Sequence, residues 1–164
     1  MKIKLLFILF TALFVGCKVV KKTNSEEANA DGKEIKFEVL LNHRQSAVTK
    51  AEELVITNQK DFEKEWKRIF SNLDFDLEKP SIDFNEKNLA VICLGEISKG
   101  GHDLTVEKIT QKGITLNWAL THSSPGKNCM SIMVIEQPVW FVSFEKGNYE
   151  KYNFKILNKV VDCE

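Results

Sequence analysis

The chain has 164 residues with 23 basic and 23 acidic side chains, and 43% of its residues are hydrophobic. Residues 1–16 carry Lys2 and Lys4 and no acid, so without them the balance becomes 21 against 23, a net charge of −2. That balance excludes the basic surface nucleic acid requires, and the length suits one domain with a core of its own.

The first predicted element is a leader. MKIKLLFILFTALFVGC places two lysines before an uncharged apolar core from Leu5 to Val15, followed by Gly16-Cys17, which is the order of a secretory signal peptide. The core is about half the roughly 20 residues a membrane-spanning helix needs. Its end resembles a bacterial lipobox, with Phe14 where leucine is more usual. The resemblance implies cleavage after Gly16, acylation of Cys17 on sulfur and nitrogen, and attachment to a membrane through that residue. Lys18 rather than Asp at the next position points to the outer membrane of a bacterial cell envelope, with the membrane face left open. KVVKKTNSEEANADGKE then has little to bury and predicts a flexible tether over residues 17–33, ahead of a domain spanning 34–164.

Within the domain the main hydrophobic period is two. IKFEVLL aligns Ile35, Phe37, Val39 and Leu41 on one face. After Thr57 the period changes: QKDFEKEWKRIF spaces Phe62, Trp66, Ile69 and Phe70 for an amphipathic helix, with Asn58 as its N-cap and Asp61 in its first turn. LAVICLG is apolar on both faces and predicts a central strand. DLTVEKI predicts a strand ending at the turn TQKG, and GITLNWALTH aligns Ile114, Leu116, Trp118 and Leu120. MSIMVIE, VWFVSFE and YNFKIL complete the set. The expectation is a mainly β domain of about eight strands, a sandwich or partly open barrel, with one short amphipathic helix.

Motifs of catalysis and metal binding are weak. GEISKGGHD has glycines at 95 and 100, but Gly101 stands where a phosphate-binding loop needs lysine and a strand follows where that loop needs a helix. His43, His102 and His122 are far apart in sequence, and no H-x-x-x-H, H-E-x-x-H or G-x-S-x-G occurs. Asp74, Asp76 and Glu78 alternate as in a calcium loop, yet Lys79 and Asn85 replace the glycine and glutamate it needs. No cofactor, metal or catalytic group is predicted. Cys93 reads as a buried thiol. The spacing of Cys129 and Cys163 is compatible with a bridge and equally with free thiols. Trp66 and Trp118 fall on core stripes, while Trp140, after Pro138 near a strand start, could face a loop-built surface.

The order of VITNQKDFEKEWKRIF, FNEKNLAVICLGEISKGGHDLTVEKI, SSPGKNC and EQPVWFVSFEK, from about Gln45 to Lys146, resembles the C-terminal domain family named after the protease complex subunit PrcB. Ser98-Lys99 stands where that family has threonine, and His102 where it has tyrosine. The resemblance implies an exported, non-catalytic accessory module with a protein partner, a protease complex among the candidates. GGH at 100–102 and QPVW at 137–140 are also similar to the inhibitory loops of chagasin-like protease inhibitors. Glycan binding and a purely structural envelope role are the other readings. The candidate partner surface comprises Gly100, Gly101, His102, Pro125, Gly126, Pro138 and Trp140. An inhibitor requires these loops at one end of the domain, and a glycan binder requires an uncovered Trp118 or Trp140.

Overall fold

The computed structural model describes residues 32–73 and 77–163. The leader, Cys17, all but the end of the tether, and Asp74 and Asp76 lie outside the described residues. The elements are β1 (Lys33–Glu34), β2 (Phe37–His43), β3 (Glu52–Ile56), α1 (Gln59–Ile69), β4 (Lys87–Cys93), β5 (Asp103–Lys112), β6 (Thr115–Pro125), β7 (Val139–Glu145) and β8 (Lys151–Val161). They form two four-stranded sheets, ordered β1-β5-β6-β8 and β2-β7-β4-β3, so the architecture is a sandwich rather than a barrel. Lys33, assigned to the tether by sequence, already pairs with Gln111.

The two apolar faces of LAVICL and VWFVSFE have a direct cause. Ala90 and Ile92 of β4, with Trp140, Val142 and Phe144 of β7, face the other sheet and pack with Leu104, Ile109, Leu116, Trp118 and Leu120. Leu89, Val91 and Cys93, with Val139 and Phe141, face the opposite way and are covered by Phe62 and Ile69 of the helix. Both faces of the inner strands are therefore dry, and the solvated polar positions are confined to Lys87 and Glu145, paired at one end of the ladder. Helix α1 starts where the sequence predicts, the Asn58 side chain accepting from the Asp61 N–H at 2.9 Å. Asp61 near its start and Lys67 and Arg68 in its last turn suit the helix dipole.

Three expectations are corrected and one strand is added. MSIMVIE is no strand of either sheet; it holds only an isolated bridge between Ile97 and Glu136, and Met130, Ile132, Met133 and Ile135 are exposed. Strand β3 was not predicted, because EELVI is short and mixes both faces: Leu54 and Ile56 face the helix while Val55 faces the sandwich interior. IKFEVLL does not keep one face, since a register shift between Val39 and Leu41 leaves Val39 exposed and turns Leu40 and Leu41 toward the helix layer. Finally, β5 runs on through Thr110-Gln111-Lys112, and Ile114 sits in the turn at Gly113-Ile114, partly exposed, rather than on the core face.

Candidate functional site at the loop end of the sandwich

The outgoing ends of β2, β4, β6 and β8 and the incoming ends of β5 and β7 lie at one end of the sandwich. Pairings fix this: Cys93 is opposite Val139, His43 opposite Val139, Asp103 opposite Ser123, and Pro125 beside Val161. The loop 95–102 is tied to the loop 126–138 by Ile97 N–H to Glu136 O at 2.8 Å, the reciprocal bond at 2.9 Å, and Gly100 N–H to Ile132 O at 3.1 Å. The predicted candidates are thereby brought together. Gly101, at φ +91, faces the Pro125 ring, and Gly126 donates its N–H to Val161 O at 2.8 Å.

Two concavities open on either side of Gly101. A cleft of about 200 Å³ is lined by residues that include His43, Arg44, His102, Asp103, Pro138 and Trp140. A broader groove of about 450 Å³ is lined by Gly100, Pro125, Met130, Ile132, Val161 and the Cys129 and Cys163 pair among others. Cys129 and Cys163 are bridged, their Cα atoms 5.0 Å apart, which clips the tail beyond β8 to the loop after β6. Cys93 is a buried free thiol, its pKa pushed up to about 12 mainly by burial, so it stays protonated and inert.

Sequence separation hid one constellation. His102 Nδ1 lies 2.9 Å from His122 Nε2, and His122 Nδ1 lies 3.0 Å from Asn158 Oδ1. With Asn158 Oδ1 as the acceptor, the complementary arrangement puts a proton on His122 Nδ1 and leaves its Nε2 to accept from His102 Nδ1. Burial lowers the His102 pKa, with the charge of His122 adding to the effect and the nearby Glu136 opposing it. Glu136 is itself buried; Arg44 donates to its Oε1 at 3.1 Å, and its Oε2 has no hydrogen-bond partner among the described residues. The signal for this cluster was parity. His122 follows Leu120 by two, Asn158 follows Ile156 by two, and His102 precedes Leu104 by two, so all three continue core-facing stripes to the point where the interior meets solvent. His43, at the end of β2, lines the same cleft as His102.

Trp140 does not serve as an exposed platform. It is 4% exposed and packs in the sandwich core, as does Trp118 at 1%. Trp66 lies half-buried among Phe62, Phe70 and Phe141. The condition for a flat glycan-binding tryptophan at 118 or 140 is not met.

The segment from β4 to β7 supplies the two inner strands of each sheet and both loops of this end. Residues 89–145 match the family model PrcB C-terminal. The matched span is narrower than the resemblance read from sequence, which began near Gln45; β1, β2, β3, helix α1 and β8 fall outside it. The PrcB C-terminal match thus coincides with the four central strands of the sandwich, and the outer strands and helix are what this chain builds around them. No curated protein and no solved structure matches the chain.

Proposed function

We propose that this chain is a lipid-anchored protein of the bacterial cell envelope, held at the outer membrane through Cys17, and that its sandwich is a non-catalytic accessory module for a protein partner. The PrcB C-terminal match over residues 89–145 supports an accessory role, and it directs attention to an envelope protease complex as the partner class. The observation that carries the reading is the gathering of Gly100-Gly101, Pro125-Gly126 and the start of β7 at one end, where loops on a rigid scaffold are suited to recognition. Trp140, 4% exposed, supports this end from within and reaches it only where it lines the cleft beside His102. A chagasin-like inhibitor shares the single-end arrangement, but its Pro-Trp loop would need a tryptophan that reaches outward. Crosslinking on intact cells, with mass spectrometry of the adducts, tests the reading. A stable protein adduct at the 95–102 and 126–138 loops is expected, and capture of nothing but chance neighbours rejects it. Replacing Cys17 by Ala is expected to abolish palmitate labelling; persistent labelling rejects the anchor.

A further inference from the structure

Strand β8 closes its sheet with β6 on one side and, among the described residues, no strand on the other. It is eleven residues long, about twice the ordinary strand, and its ladder with β6 is parallel over its whole length. In such a ladder, alternate residues aim their N–H and C=O at one neighbour and the rest aim them the other way, so a row of backbone donors and acceptors faces outward. From Tyr152 to Val160, no described segment other than β6 hydrogen-bonds to that backbone.

The side chains along this edge select a partner. Tyr152, Phe154 and Ile156 pack toward the core, whereas Lys151, Lys155 and Lys159 share the outer face with Leu157 and Val161. Opposite the three lysines on β6 stand Thr115, Ala119 and Ser123, and none of the lysines makes an ion pair among the described residues. At its far end the edge meets the apolar groove. Met130, Ile132 and Val161 line that groove, and Leu157 and Val160 of β8 and Met133 and Ile135 of the neighbouring loop segment are exposed as well.

A second copy of β8 would place six lysines on one face of the joint. A lipid surface would use the lysines and the apolar loop, but it offers nothing to the outward backbone row. An extended acidic strand answers the backbone, the charges and the groove together. Resting on the reading that the domain binds a protein, we infer that β8 accepts an extended segment of the partner as an added strand, with acidic residues on its outer face and apolar residues toward the groove at Val161.

The test uses the purified full-length protein in detergent and two synthetic ten-residue peptides, one alternating Val with Glu and one alternating Val with Lys. The Val-Glu peptide is expected to bind at least about tenfold more tightly, a difference of about 1.4 kcal/mol, and to slow amide hydrogen exchange within residues 152–160. In a protein carrying Lys151→Glu, Lys155→Glu and Lys159→Glu, all exposed changes whose folding is checked by circular dichroism, the preference is expected to reverse. Equal binding of the two peptides, protection elsewhere than β8, concentration-dependent dimerisation through β8, or binding to vesicles alone overturns the inference. A cellular protein adduct that survives the triple change overturns the edge assignment while leaving the binding-module reading intact.

Discussion

His102 Nδ1 and His122 Nε2 stand 2.9 Å apart, within hydrogen-bond reach of each other across two neighbouring strand ends. Because burial lowers the His102 pKa, the unfolded chain takes up a proton at that residue more readily than the folded one. Stability therefore falls as pH drops through the ordinary histidine value of about 6.5, and the loss continues down to the lower folded value. Thermal melts across that range should show a steeper acid loss in the native protein than in His102→Gln. Equal slopes would mean that the pair carries no linkage.

Gly95 and Gly101 both have positive φ, at +75 and +91, yet they are not equivalent. A Cβ on Gly95 would lie 2.7 Å from the Ala51 nitrogen and 2.9 Å from the Lys50 carbonyl carbon, whereas the nearest atom to one on Gly101 is a Pro125 carbon at 3.6 Å. Gly101→Ala should cost about 1–2 kcal/mol from backbone conformation alone. Gly95→Ala should cost clearly more, since backbone atoms must also move. Urea denaturation of the two variants decides; equal midpoints would contradict the close approach at Gly95.

The Cys129–Cys163 bridge spans a sequence separation of 34, which corresponds to about 3–4 kcal/mol in the loop-entropy picture. Replacing both cysteines by serine should lower the melting temperature, and reductant should lower the native protein to the same value. A native protein indifferent to reductant would show that the clip contributes nothing.

Phe62 and Trp140 lie on opposite sides of the same sheet, one under the helix and one inside the sandwich. Each changed to alanine should destabilise the fold by about 3–5 kcal/mol. If Trp140→Ala instead weakens partner capture without moving the unfolding midpoint, its placement in the core is refuted.

The period-two stripes, the switch to helical spacing after Asn58 and the doubly apolar LAVICL were legible because burial imposes its own periodicity on a chain. The β3 strand, the bulge in β2 and the fate of MSIMVIE were not. An apolar run has the same pattern whether it enters a sheet or stays at the surface, and MSIMVIE keeps only the bridge between Ile97 and Glu136. The loop cluster was half legible: the glycines and prolines marked turns, but Trp140 looked available until the opposite sheet covered it.

By itself, the sequence determined a mainly β domain with one amphipathic helix and the resemblance to the PrcB C-terminal family, because local hydrophobic pattern and motif order survive without knowledge of distant neighbours. Tertiary structure alone decided which residues meet. It joined His102 to His122 and Asn158, bridged Cys129 to Cys163, and set β8 parallel to β6 at an open edge. Such pairings depend on which segments share a layer, a choice made by packing the whole chain rather than by any segment within it.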